Sequence, residues 1–171
     1  FYKKDIFMRN YDLAIANDHA GFDLKLKILE FLNHAGYEIY SNNPANRHLI
    51  TYQKKKKSII DLGSYNTDRV DYPDYAKKVV EEIIEGNIKQ GILICGTGIG
   101  MSIAANRSSS VRAALCLNEF MAERSRSHNN ANVLVLGSKI TEEEVVFRII
   151  NKFLTTEFES GRHAQRVNKI S

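Results

Sequence analysis

Tryptophan is absent from this chain, and proline and cysteine each occur only twice in 171 residues. So little proline excludes a proline-rich linker or recognition tract, and so little cysteine excludes a disulfide-stapled scaffold. Cys95 and Cys116 end separate apolar runs, which suits a reducing compartment, so a cytoplasmic location is expected. No apolar run approaches the ~20 residues of a membrane span, and the opening FYKKDIFMRN lacks the apolar stretch of a secretory leader. Neither sign of charge dominates: 24 Lys+Arg against 20 Asp+Glu leave +4. That balance gives no nucleic-acid footprint, yet it favours small anionic substrates. The run Lys54, Lys55, Lys56, Lys57 has only Tyr52 as an aromatic neighbour and reads as solvated surface. The five histidines, His19, His34, His48, His128 and His163, form no H-x-x-x-H pair and lie in no zinc spacing, so no metal is expected. The G-x-S-x-G elbow of a serine hydrolase is missing too.

With 43% hydrophobic residues, the chain can bury one substantial core, and a single domain over 1–171 is expected. Strand-like and helix-like patterns alternate along it. Residues 13–16 read as a buried strand that stops at NDHAG. Leu24, Ile28, Phe31 and Ala35 then follow at helical spacing before Gly36. A second strand over 37–40 gives way to a polar excursion at 41–58, expected to be a surface loop, and Ile59, Ile60 and Leu62 resume the interrupted strand. Pro73 opens a helix carrying Ala76, Val79, Val80, Ile83 and Ile84, closed by Gly86. A central strand at 91–95, a helix to 105, a fourth strand over 111–117, a helix at 119–127 and a fifth strand at 133–136 complete the sheet. Thr141 with Glu144 is a capping box for a helix to about 154, and GRHAQRVNKI forms a short amphipathic end. This alternation predicts an α/β fold, a Rossmann-like three-layer α/β/α sandwich on a five-stranded, mostly parallel sheet. Ligands of such sheets sit at the carboxyl ends of the strands, which gathers Asp18, His19, Cys95, Thr97 and Gly98.

The most telling segment is ILICGTGIGMS, residues 92–102. It delivers Cys95 to the lip of the sheet, beside a loop with glycine at 96, 98 and 100. A thiolate serves as base or nucleophile, and bare N–H groups at a helix start hold an oxyanion or a phosphate. The alternatives are a packing turn and an inert buried thiol. The dinucleotide fingerprint is disfavoured: the loop follows the third strand, and Met101 stands where the last glycine belongs. Cys116, with no glycine loop after it, reads as inert packing. Asp18 and His19 share the Cys95 edge, though they could be only an N-cap and a solvated imidazole. His128 and Asn129 suit a helix C-terminus, and Arg162 with Arg166, four apart, either grip a phosphate together or lie solvated.

Five motifs in order, NDHAGF, RVDYPDYA, GILICGTGIGMSIAANR, SHNNANVLVLGSK and GRHAQRV, resemble those of ribose-5-phosphate isomerase type B, within a wider family that includes galactose-6-phosphate isomerase subunits. The resemblance implies interconversion of ribose 5-phosphate and ribulose 5-phosphate with no metal or organic cofactor. It implies Cys95 as the base between C2 and C1, with Thr97 and the N–H groups of Gly96, Gly98, Ile99 and Gly100 stabilising the enediolate. It implies His128 for ring opening, Asp18 and Asn129 on sugar oxygens, Tyr72 near the sugar, and His19, Lys139, Arg162 and Arg166 on the phosphate. A homodimer, or a dimer of dimers, with shared active sites is implied as well. The alternatives are an isomerase of a six-carbon sugar phosphate, such as allose or galactose 6-phosphate, and a non-catalytic sugar-phosphate-binding regulator. One chain holding Cys95, His128 and both arginines favours a self-sufficient homo-oligomer. The chain departs from the pattern in four places. Asn130 replaces an Asp, which bears on how His128 is oriented. Lys139 replaces an Arg, giving a point charge instead of a planar fork. Ser108, Ser109 and Ser110 replace a Pro/Gly turn, and the 41–58 excursion is extra.

Overall fold

In the computed structural model, which describes residues 10–43 and 55–170, six strands run in one direction. They are β1 (Tyr11–Asn17), β2 (Tyr37–Ser41), β3 (Lys57–Asp61), β4 (Ile88–Cys95), β5 (Ala113–Leu115) and β6 (Val133–Gly137). Their order across the sheet is β2-β3-β1-β4-β6-β5, every pair parallel. Between them run α1 (Phe22–His34), α2 (Tyr72–Ile84), α3 (Ile99–Ala105) and α4 (Glu119–Ser127), with α5 (Glu143–Thr155) and α6 (Arg162–Val167) closing the chain.

The central strands carry continuous apolar runs, at 13–16, 92–95 and 133–136, because helices cover both faces, and alternate side chains feed opposite layers. Leu13, Ile15, Ile92, Ile94, Leu134 and Leu136 meet Ile28, Leu29 and Leu32 of α1 and Ile149, Ile150 and Phe153 of α5. Ala14, Ala16, Leu93, Cys95, Val133 and Val135 meet Val79 and Val80 of α2 and Met101 and Ala105 of α3. The α2 layer lies so close that a Cβ on Gly91 would stand 2.4 Å from Val79 Cγ1.

The sheet has six strands, not five. Residues 57–61 do not resume an interrupted second strand; they form β3, inserted between β2 and β1, with Ile59 opposite both Ile39 and Leu13. Ser41 therefore ends β2, and Lys57 and Ser58 begin β3, while residues 44–54 of the expected loop lie outside the described residues. The fourth expected strand shortens to Ala113–Leu115, since the Arg112 N–H turns to the Asn132 side chain. The capping box is absent: α5 starts at Glu143 behind Glu142 with no side-chain cap, and the Thr141 N–H closes the turn after β6 on the Gly137 carbonyl.

One buried ion pair ties the outer strands to the turns beyond them. Lys25, on α1, is fully buried and donates to Asp61 Oδ1 at 2.8 Å and to the Ser64 carbonyl. Asp61 also accepts from Ser41 Oγ at 2.9 Å and from the Gly63 N–H at 3.0 Å. Burial pushes the Lys25 ammonium down, and the Asp61 carboxylate pulls it back. The Asn17 amide reaches Ser64 Oγ at 3.2 Å, so the turn after β3 is fastened to the end of β1. Removing one partner of such a pair strands a buried charge. Lys25→Met is expected to cost about 3–5 kcal/mol in urea unfolding; a loss under about 1 kcal/mol would mean that water reaches Asp61.

Candidate active site

Three strand ends meet at the carboxyl edge of the sheet. At the end of β1, Asp18 Oδ1 accepts from the Ala20 and Gly21 N–H groups at 2.9 and 3.2 Å, and the Asp18 N–H donates to the Ile94 carbonyl at 3.1 Å. Part of this carboxylate is thus an N-cap, as one of the two sequence readings held. His19 Nδ1 accepts from the Val70 N–H at 3.3 Å, which leaves Nε2 to carry the proton of the neutral ring.

At the end of β4, Cys95 is 4% exposed, and its Sγ accepts the Gly98 N–H at 3.1 Å. Such a bond strengthens when the acceptor carries negative charge. Gly98 turns with φ +80°, and a Cβ there would stand 2.5 Å from Leu115 Cδ1, so only glycine fits. The Ile99 N–H donates to Thr97 Oγ1 at 3.3 Å. Two of the amides expected to face a ligand therefore have partners inside the loop, one of them the reactive sulfur. The loop lies against β6, where a Cβ on Gly137 would stand 2.7 Å from the Thr97 carbonyl oxygen. Gly100 lies under Tyr72, whose ring carbon would be 2.7 Å from a Cβ there, placing an exposed phenol beside the loop.

After β6, the Ser138 N–H donates to the Cys95 carbonyl at 2.8 Å and the Lys139 N–H to the Gly96 carbonyl at 3.0 Å, while Ser138 Oγ reaches the Ala20 carbonyl at 2.7 Å. The exposed Lys139 stem runs past Gly96, 3.7 Å from where its Cβ would be. Asp18, His19, Tyr72, Cys95, the 96–100 loop and Lys139 thus share one edge. Ser138, which sews two of the strand ends together, escaped sequence reasoning because a serine after a strand carries no signal of its own.

His128, Asn129, Arg162 and Arg166 are elsewhere. His128 is the C-cap of α4, just before β6, whereas Lys139 follows that strand. The length of β6, about 13 Å at ~3.3 Å per residue, separates the two groups within one chain. His128 stacks on buried His163 with ring centroids 4.0 Å apart and planes 11° apart. Glu159 borders both rings, its Oε2 3.9 Å from His128 Nε2 and 3.6 Å from His163 Nε2, and Arg124 Nη1 is 3.2 Å from His128 Nε2. Arg162 and Arg166 are exposed and form no ion pair among the described residues. Glu159 was not singled out from sequence, since it lies in coil with only an i,i+4 relation to His163.

Sequence spacing offered no metal ligands, yet the ligand atoms of His128, Glu159 and His163 all lie within 4.8 Å of one another. Stacked rings do not aim both ring nitrogens at one point in their planes, and the Arg124 cation already addresses His128 Nε2. We therefore read the cluster as an imidazole–carboxylate group. Asn130 does not touch His128: its Oδ1 accepts from Arg126 and its carbonyl from Arg112. The departure at this position falls on two arginines, not on the imidazole.

The Ribose/Galactose Isomerase family model matches residues 42–170. A Rickettsia bellii protein named as a candidate sugar phosphate isomerase is 52% identical, over 95% of this chain and 99% of its own length. Ribose-5-phosphate isomerase B of Escherichia coli is 38% identical over 93% of each chain. The crystal structure of a ribose 5-phosphate isomerase from Thermotoga maritima is 44% identical, covers 95% of this chain and 98% of its own, and superposes with a TM-score of 0.80.

The buried imidazole gives a pH signature. Desolvation, then the charges of His128 and Arg162, hold His163 below the ordinary imidazole value, with Glu159 opposing. The unfolded chain takes up this proton below about pH 6.5 while the folded chain resists it, so stability falls as pH drops through that range. His163→Gln is expected to flatten the fall in Tm between pH 7 and 5; an unchanged slope would show that another group controls it.

Proposed function

The chain belongs to the Ribose/Galactose Isomerase family and is a sugar phosphate isomerase, and from that premise we propose that it interconverts ribose 5-phosphate and ribulose 5-phosphate. The observation that carries the mechanism is the Cys95 sulfur held by the Gly98 amide at the end of β4. His128 passes a proton from the anomeric hydroxyl to the ring oxygen and opens the sugar. Cys95 takes the proton on C2, the released electron pair forms the C1–C2 double bond, and the C1 carbonyl oxygen gains the charge. A proton moves from O2 to O1, the thiol returns its proton to C1, and the ketose results. No net oxidation occurs, so the step needs no external oxidant or reductant.

In this mechanism Thr97 and the Gly96 and Gly100 amides face the enediolate, where a donor aimed at developing charge contributes most, while the Gly98 and Ile99 amides stay on Cys95 Sγ and Thr97 Oγ1. Asp18 and Asn129 hold sugar oxygens, Tyr72 borders the sugar, and His19, Lys139, Arg162 and Arg166 hold the phosphate. Two copies share each site: the first contributes Cys95 with its loop, Asp18, His19, Tyr72 and Lys139, the second His128, Asn129 and the two arginines. The length of β6 that separates the sets within one chain supports this arrangement. So do the apolar side chains that α3 leaves in water beside the loop, Ile99 at 55% and Ile103 at 62% exposure, which a second copy would cover. No helix among the described residues is long and apolar enough to cross a membrane, and both cysteines are free. A cytoplasmic enzyme fits both facts.

Cys95→Ala is expected to lower kcat on ribose 5-phosphate about 10²–10⁴-fold with the fold intact, and substrate should shield the wild-type thiol from iodoacetamide. Near-normal turnover would remove Cys95 from the base position. Turnover of allose 6-phosphate above that of ribose 5-phosphate would instead reassign the sugar. Shared sites make a second prediction. Cys95→Ala and His128→Asn chains, each inactive alone, should regain about a quarter of wild-type activity when refolded together, because half the dimers are hybrids with one intact site. No recovery would mean that each chain completes its own site.

A further inference from the structure

At the amino edge of the sheet, away from the Cys95 loop, a cavity of about 540 Å³ opens between the strand starts and the end of α5. Arg112, just before β5, and Arg126, in the last turn of α4, line it, together with Lys57 of β3 and Lys89 of β4. The arginines are half-buried and the lysines exposed. Both arginines converge on one uncharged residue. Arg112 Nε donates to the Asn130 carbonyl at 3.0 Å, and Arg126 Nη1 donates to Asn130 Oδ1 at 3.1 Å and to the Ala131 carbonyl at 2.5 Å. Neither meets a carboxylate among the described residues, and Arg126 Nε is buried with no hydrogen-bond partner. Desolvation and the charge of Arg112 both push the Arg126 guanidinium below its ordinary range.

Two like charges held together in partial burial are costly without a counter-charge, and a guanidinium fork matches phosphoryl oxygens. Asp12 and Glu157 are the acidic groups of the lining, and Asp12 Oδ2 already accepts from Ser58 N and Oγ at 2.8 and 3.3 Å. We propose that this cavity is an anion site for a small molecule bearing two linked phosphoryl groups, gripped by Arg112 and Arg126 and closed over by Lys57 and Lys89. Carbonyl oxygens at the end of α5, next to Thr155 and Thr156, oppose an anion on that side of the cavity, so the ligand is held toward the four cations, which two linked phosphoryl groups engage together and a single phosphate does not. The site lies at the opposite edge from His19 and Lys139 and does not depend on the isomerase mechanism.

Titration calorimetry with inorganic pyrophosphate at low salt tests it. Wild type should bind, and Asn130→Asp, which supplies a carboxylate between the two arginines, should weaken binding roughly tenfold or more without lowering Tm. The double variant Lys57→Met/Lys89→Met, altered only at exposed side chains, should weaken binding as well, whereas Lys139→Met at the other edge should leave this affinity unchanged. Absence of binding to wild type overturns the proposal. So does binding that survives Asn130→Asp and the lysine pair, because pyrophosphate would then be reporting the proposed sugar-phosphate site, through Lys139 or through Arg162 and Arg166.

Discussion

Everything in this molecule follows from six strands running the same way. In a parallel sheet the chain leaves each strand at one edge and must return to the other edge before the next strand begins, which β1, β3, β4 and β5 do through helices. The turns after β1, β4 and β6 must therefore meet, and they do so through backbone bonds: Asp18 to Ile94, Ser138 to Cys95, Lys139 to Gly96. The turns before β5 and β6 must meet at the opposite edge, where Arg112, Arg126, His128 and Asn130 gather. Topology alone divides the candidate site side chains into two sets. A single chain of this fold cannot close that gap by flexing a loop, since the intervening β6 is buried along its whole length.

Within the carboxyl edge, precision comes from missing side chains. Gly21, Gly98 and Gly137 each stand where a Cβ would meet Ile94, Leu115 or the Thr97 carbonyl within 2.8 Å. These close approaches set the loop against β6 and turn the Gly98 amide toward Cys95 instead of toward a backbone carbonyl. The sulfur is nearly enclosed, yet its hydrogen-bond partner is a donor. At Cys116 burial outweighs the opposing Ser125 hydroxyl and pushes the thiol up to about 11, and its Sγ donates to the Ala114 carbonyl.

What was legible in the sequence was local or periodic. The apolar runs at 13–16, 92–95 and 133–136, the helix carrying Ala76, Val79 and Val80, and the glycine loop behind Cys95 all stand where the pattern put them, because burial on two faces and a left-handed turn leave direct marks on residue choice. What was illegible depends on partners far along the chain. β3 starts with Lys57 and Ser58, polar because they begin near an edge, and so its five residues read as the tail of another strand. Lys25 reads as a helix surface residue until Asp61, thirty-six positions later, supplies its counter-charge. Thr141 and Glu144 have capping-box spacing, but the hydrogen bond from Thr141 N to Gly137 starts the helix too late to use it.

Asn130 shows how a single uncharged side chain separates two electrostatic systems. Its left-handed backbone, φ +46°, ends the turn after α4 and points its amide oxygen at Arg126, away from His128. His128 is left to Arg124, Glu159 and His163. A guanidinium only donates, so the Arg124 contact makes His128 Nε2 an acceptor and assigns the ring proton of the neutral form to Nδ1. Adding a proton to Nε2 turns that contact repulsive and makes the Glu159 carboxylate, 3.9 Å away, the favoured neighbour. The imidazole thus has one partner for each of its charge states on the same nitrogen, an arrangement that suits the ring-opening role proposed for it.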